Sequence, residues 1–193
     1  MESICYSPAR MIIEIIWNRR CAMINIYFDM DGVQTVYYKD EIVEDMMKPG
    51  YFLSRTPHYE MIDLIKLLQE DKDFHVTILS AVFTDSHSVL EKSMWLEQHG
   101  LGMTDMIFVP CGSCKSDFVK SDGLNILVDD FSKNLFDWEN AGENFMGIKY
   151  MNEINGSQGN WVRHSGRVID YEMSAEEMYA AIILYALSAQ NAA

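Results

Sequence analysis

An α/β fold on a parallel sheet is what this sequence predicts, and three observations carry the expectation. From Met23 onward, short runs of β-branched and aromatic residues alternate with stretches of helical spacing, the pattern of strands joined by crossover helices. Helix caps and stops such as Thr56-Pro57 and Gly100 punctuate the stretches between those runs. The chain has 193 residues, 49% of them apolar and 23% charged, enough to close one core without disulfide or metal staples.

The elements follow in order. Ile24-Asn25-Ile26-Tyr27-Phe28 reads as a first strand ending at Asp29. Two helices are expected between Val33 and about Asp71, separated by Lys48-Pro49-Gly50. Thr56-Pro57 is read as the N-cap and first position of the second, whose Met61, Ile62, Ile65 and Leu68 recur at helical spacing. Phe74 to Leu79 is a second strand, ending at Ser80. The helix after it has Ser88 and Glu91 at the spacing of a capping box and Gly100 as its stop. Met106 to Val109 and Leu124 to Val128 are further strands, the latter ending at Asp129-Asp130. A helix through Leu135 and Trp138 stops near Gly142, and Phe145 to Tyr150 is a fifth strand. Asn152 to Gly159 reads as a loop. Ser174 and Glu177 open a C-terminal helix expected to pack Met178, Ala181, Ile182 and Leu184 inward. The predicted organisation is a single domain over 23–193, with 1–22 standing apart as a leader, an extra packing segment or an over-long start. Met11 to Trp17 is a poor signal peptide, being short and interrupted by Glu14, and no run approaches the roughly 20 apolar residues that cross a bilayer.

Charge and cysteine content narrow the function classes. A net charge of −14 argues against binding a nucleic-acid polymer or an anionic membrane, since both need clustered Lys and Arg. A small phosphorylated ligand responds to a local site and stays allowed. Cys5, Cys21, Cys111 and Cys114 are too few and too uneven for a disulfide framework. Cys111-Gly-Ser-Cys114 has redox or zinc spacing but lacks a second ligand pair, so a reduced, unligated pair and a cytoplasmic location are expected.

The chemistry-bearing residues collect at strand ends. Asp29, Ser80 and Asp129-Asp130 each lie at the carboxyl end of a predicted parallel strand, and Lys115 lies in the loop after another. That edge is where open α/β sheets bind ligands. Carboxylates gathered there repel one another unless a cation sits among them, and hard oxygen donors suit Mg²⁺. A lysine and a hydroxyl beside it can hold phosphoryl oxygens. Taken singly, Asp29 could be a turn residue, Ser80 a strand-end hydroxyl and Lys115 a solvated charge; their order makes coincidence a poor account. Gly32 comes too early after Asp29 for a calcium loop, and a strand precedes it.

In that order, Asp29-Met30-Asp31-Gly32-Val33, Ser80, Lys115 and Asp129-Asp130 resemble the four motifs of the haloacid dehalogenase (HAD) superfamily of phosphohydrolases. The first motif and Leu127-Val128-Asp129-Asp130 look most like the 5'(3')-deoxyribonucleotidase family, over about Met23 to Tyr150. The resemblance implies a three-layer Rossmann-like HAD core with a small helical cap inserted after the first strand, at about 33–72. It implies Asp29 as nucleophile and Asp31 as general acid and base. Mg²⁺ would be held by Asp29, the Asp31 main-chain carbonyl and Asp130, with Asp129 positioning the metal's waters. Ser80 and Lys115 would hold the phosphoryl group, and Tyr37 falls where the family carries an aromatic that touches the nucleotide. Packing within the cap is the other reading of Tyr37. Tyr51 and Phe52 are read as core packing before base stacking, His58 as exposed and Lys92 as a solvated helix charge.

The expected function is a Mg²⁺-dependent phosphomonoesterase acting on nucleoside monophosphates, with a homodimer left open as the assembly. Gln34-Thr35-Val36, Phe131 after the acidic pair, and the segment Ile148 to Gly156 depart from the assayed nucleotidases. They keep open a HAD phosphatase of another small phosphometabolite and a non-catalytic phospho-ligand-binding relative. A receiver-type signalling domain is disfavoured, because its acidic pair follows the first strand and not the fourth.

Overall fold

The computed structural model describes residues 23–40, 42–84, 87–120, 122–155 and 160–192; the segment 1–22, with Cys5 and Cys21, lies outside them. The strands are β1 (Ile24–Phe28), β2 (Phe74–Val82), β3 (Asp105–Pro110), β4 (Leu124–Asp129), β5 (Phe145–Met151) and β6 (Val168–Asp170). They form one sheet in the order β3-β2-β1-β4-β5-β6, every neighbouring pair parallel. The helices are α1 (Val43–Met46), α2 (Tyr59–Glu70), α3 (Ser88–Gln98), α4 (Ser132–Glu139), α5 (Asn160–His164) and α6 (Ala175–Ala192), with 3₁₀ turns at Phe52–Ser54 and Lys115–Phe118.

Strand alternation sorts the core into two layers. Ile24, Ile26 and Phe28 of β1, Ile78 of β2 and Ile126 and Val128 of β4 pack with Met61, Leu64, Ile65 and Leu68 of α2, Trp95 of α3 and Met178 and Ile182 of α6. On the opposite face Tyr27, Leu79 and Leu127 meet Leu135 and Trp138 of α4 and Trp161 of α5. This is a three-layer, Rossmann-like α/β architecture. From β1 the chain builds β2 and β3 outward on one side, then crosses back to place β4 to β6 on the other, so the end of β1 is the point where strand order reverses and a crevice opens. Among the described residues no helix is long and apolar enough to cross a membrane.

Several expectations need correction. The predicted insertion of 33–72 divides: α2 belongs to the core layer, and among the described residues the remainder carries the four-residue α1 and one 3₁₀ turn. The helix expected from Thr56-Pro57 starts at Tyr59 with His58 as N-cap. Pro57 instead bridges Thr35, and Gln34 and Thr56 carbonyls accept from His58 and Val36 N–H at 2.8 Å each, so extended pairing holds residues 56–58 out of the helix. β2 runs past Ser80 to Val82, because Ser80 to Val82 still find partners in Phe108 to Pro110. The C-terminal capping box forms, with Ser174 and Glu177 exchanging hydrogen bonds. Leu184, however, is exposed, while Ile183 and Ala186 go inward. α5 and β6 lie outside the elements the sequence predicts: three residues are too few to show a period, and α5 is short, although its Trp161 is fully buried against Gly147, where a Cβ would come within 2.8 Å of the indole.

Candidate functional site

Asp29 continues the line of β1, its N–H donating to the Val128 carbonyl at 3.0 Å. Alternation turns it to the face of Tyr27, and Asp129 shares that face with Leu127 on the neighbouring strand. Lys115, on the 3₁₀ turn after β3, reaches between them: Nζ lies 3.0 Å from Asp29 Oδ1 and 2.7 Å from Asp129 Oδ2. Burial acts to discharge the ammonium, but Asp129 and Asp29 outweigh it and the net displacement of its pKa is upward.

The adjacent acidic residues have different surroundings. Asp129 is fully buried and saturated, Oδ1 accepting from Phe131 N–H at 2.8 Å and Oδ2 from Lys115 and, at 2.9 Å, from Asn134 Nδ2. Among the described residues the one donor to the Asp130 carboxylate is Asn152 Nδ2, at 3.1 Å. Burial first, then the charges of Asp129 and Asp29, push the Asp130 carboxyl up to about 8.

Asp29, Asp129 and Asp130 each bring a carboxylate oxygen within 4.8 Å of the other two. So dense a set of hard donors, with Asp130 still underbonded, suits a divalent cation of the Mg²⁺ type. The loop from β1 comes equally close. Gly32 has φ of 75°, and a Cβ there would stand 2.4 Å from Asp130 Oδ2, so glycine is required both for the turn and for the approach.

Asp31 faces elsewhere. Its carboxylate meets Lys92 Nζ at 2.5 Å, and the same ammonium donates to Ser80 Oγ at 2.9 Å and the Ala81 carbonyl at 2.8 Å. Burial drives the Asp31 carboxyl above the usual range, Lys92 opposes that and Asp29 adds to it. Lys92 is therefore no solvated charge: it is fully buried, 4.6 Å from the centre of the Phe52 ring. Nor does Glu91 complete a capping box. Ser88 Oγ donates to the Phe83 carbonyl, and Glu91 accepts from Gly50 N–H at 2.5 Å and Phe52 N–H at 3.0 Å. A signal for both was present. Ser88, Glu91, Lys92, Trp95 and Leu96 recur at the spacing of one helix face, so the two apolar residues mark the charged ones as inward.

The stretch above the sheet is fastened to α3. Trp95 Nε1 donates to the Arg55 carbonyl at 2.9 Å, and the Arg55 guanidinium binds the Val36 carbonyl and lies 5.0 and 4.8 Å from the Tyr38 and Tyr51 rings. Phe52 is buried in this junction, Tyr51 half-buried, and Tyr37 half-buried on the segment Arg55 ties down. His58 is not exposed: it is half-buried, edge-on to Tyr150, and burial lowers its pKa. Cys111 and Cys114 are free, exposed thiols.

Known proteins add little. No family model matches the chain, and no curated protein does. One solved structure, described as "Structure of Pnkp1/Rnl/Hen1 complex", superposes with a TM-score of 0.49 at 11% identity, over 65% of this chain and 45% of that one. The chain thus spans less than half the length of that neighbour, and the likeness carries no argument about activity. The site has to be read from its own geometry.

Of the residues singled out in the sequence, Asp29, Lys115, Asp129 and Asp130 converge directly; Asp31 and Ser80 are brought together through Lys92. Lys149 also approaches the acidic pair. It is buried beside Asp129 on β5, its Nζ donating to Ser132 Oγ at 2.6 Å, and burial lowers its pKa.

Proposed function

We propose that this chain is a Mg²⁺-dependent phosphomonoesterase of HAD type that works through an aspartyl-phosphate, with deoxyribonucleoside monophosphates as the leading substrates. The observation that carries the reading is Asp29 at the strand-order reversal, paired with Lys115 at 3.0 Å and within 4.8 Å of Asp130. Phosphoryl transfer needs a nucleophile, a counter-charge for phosphoryl oxygens and carboxylates able to hold a metal, all in one crevice.

In the first step an Asp29 carboxylate oxygen attacks phosphorus in line, and the bond to the leaving oxygen breaks. Asp31 gives that oxygen a proton; a carboxyl raised by burial is suited to carrying one. In the second step the Asp31 carboxylate takes a proton from water as its oxygen attacks the acyl phosphate, releasing phosphate and restoring Asp29. Lys115 compensates charge on the phosphoryl oxygens, and Ser80, its oxygen already accepting from Lys92, turns its own proton toward them. Asp29 and Asp130 would hold Mg²⁺, joined by the main chain at Asp31 since its carboxylate is engaged by Lys92, while Asp129 stays a positioning residue because its oxygens are fully used. The bound ion would neutralise repulsion between carboxylates and phosphate.

A second reading keeps the chemistry and assigns a different small phosphate ester; Phe131, 58% exposed beside the acidic pair, presents an uncharged flank where a nucleotidase of this kind carries a cation. A cytoplasmic compartment is proposed with either reading. The deciding experiment is phosphate release by the purified protein from deoxyribonucleotides, ribonucleotides and sugar phosphates. Turnover of deoxyribonucleotides with Mg²⁺ and none with EDTA is expected. Selective turnover of a sugar phosphate would replace the nucleotide assignment, and inertness toward the whole panel would overturn the enzyme reading.

A further inference from the structure

The loop after β5 departs from the assayed nucleotidases and has no part in the mechanism above, yet it touches the acidic cluster at two points. Asn152 Nδ2 donates to the Gly32 carbonyl at 2.9 Å and to Asp130 Oδ2 at 3.1 Å. Its Oδ1 accepts from the N–H groups of Asn155, at 3.0 Å, and Ile154, at 3.3 Å. Those two donors fix which way the amide points, since an inverted amide would set N–H against N–H. One residue on, the scheme is reinforced from the main chain: Asn155 Nδ2 donates to the Asp130 carbonyl at 3.3 Å and to the Tyr150 carbonyl at 2.7 Å.

We propose that Asn152 is a positioning residue that sets the divalent-metal affinity of the site, its amide holding the loop that carries Asp31-Gly32 and the Asp130 carboxylate at ligand spacing. This rests on the metal reading above. Asp130 differs from Asp129 in having a single, neutral donor among the described residues. A lysine there would consume the charge that a cation needs; an amide orients the carboxylate and leaves the charge in place. Asn152 is itself buried, so water does not readily substitute for it.

The test is Mn²⁺ binding by the substrate-free full-length protein, followed by calorimetry or by the loss of the free-ion EPR signal, in wild type, Asn152→Ala, Asn152→Ser and Asp130→Asn. Serine keeps an acceptor for the Ile154 and Asn155 N–H groups but falls short of Asp130, so it preserves the loop should alanine not fold. Both Asn152 variants should bind Mn²⁺ about 10- to 100-fold more weakly. Their Mg²⁺ activation constant should rise by a similar factor, with kcat recovered at saturating Mg²⁺. Wild-type affinity in a folded Asn152 variant, or a kcat loss that excess Mg²⁺ does not restore, overturns the proposal alone. Wild type that binds no Mn²⁺, or binds it no better than Asp130→Asn, overturns the metal reading and this proposal with it.

Discussion

β1 and β4 lie side by side along their whole length, and their two ends solve the same problem differently. At the N-terminal end the polar pair is neutral. Asn25 Nδ2 donates to Asn125 Oδ1 at 3.2 Å and to the Asp122 carbonyl at 2.9 Å, and Asn125 Nδ2 donates to the Gly123 carbonyl at 3.2 Å. At the C-terminal end Asp29, Asp129 and Asp130 crowd within 4.8 Å with Lys115 as their immediate counter-charge. Amides close off a strand end at little electrostatic cost, whereas three clustered carboxylates are a standing liability unless a cation joins them. The difference teaches which end is satisfied by its own side chains and which has room for a cation, the end where the proposed chemistry is placed.

Substitutions should separate the two ends sharply. The largest expected effect is that of Asp29→Asn, which should lower kcat for phosphate release by roughly 10⁴-fold or more while leaving the circular dichroism spectrum unchanged. Undiminished turnover would remove Asp29 as nucleophile. Next comes Lys115→Met, which leaves buried carboxylates without their ammonium and should cost about 3–5 kcal/mol in urea denaturation, along with activity. At the opposite end Asn125→Leu should cost only about 1–3 kcal/mol, for unpaired groups left behind, and spare kcat. Equal losses at both ends would erase the contrast.

The last contrast is a pH dependence confined to the acidic end. The Asp130 carboxyl sits at about 8 when folded, against about 4 in an unfolded chain. Between those values the folded state holds a proton that the unfolded state has lost, so this group's stabilising contribution is complete below about pH 4 and is lost as pH rises through about 8. In EDTA the melting temperature should therefore fall from pH 5 to 8.5 in wild type more steeply than in Asp130→Asn. Saturating Mg²⁺ should flatten or reverse that slope, because the ion binds the ionised carboxylate. A wild-type slope no steeper than that of the variant would place Asp130 outside the cluster's proton balance.

Part of this site was open to reading along the chain. Asp29, Ser80, Lys115 and Asp129-Asp130 stand out because each follows or ends an apolar run, and strand ends on a parallel sheet share an edge by topology. Lys92 and Asn152 are hard to single out because lone polar residues on a helix or in a loop are usually solvated, and Glu91 reads as a capping-box partner of Ser88 because it has that spacing. Their importance depends on which backbone passes over them: Phe52 over Lys92, Gly50 against Glu91, Gly32 against Asn152. The short elements α5 and β6 are illegible for want of length, and α2 reads as part of a cap because its periodicity reports an apolar face without naming what that face meets.

By itself the order of residues determined the parallel α/β scheme, the strands that bear the acidic motifs and the edge on which they gather, since periodicity and strand direction are local properties carried along the chain. Tertiary structure alone decided that Asp129 is saturated and Asp130 is not, that Asp31 turns to Lys92, and that Asn152 joins two distant loops. Hydrogen-bond partners are chosen in space, by whichever donors burial brings within reach.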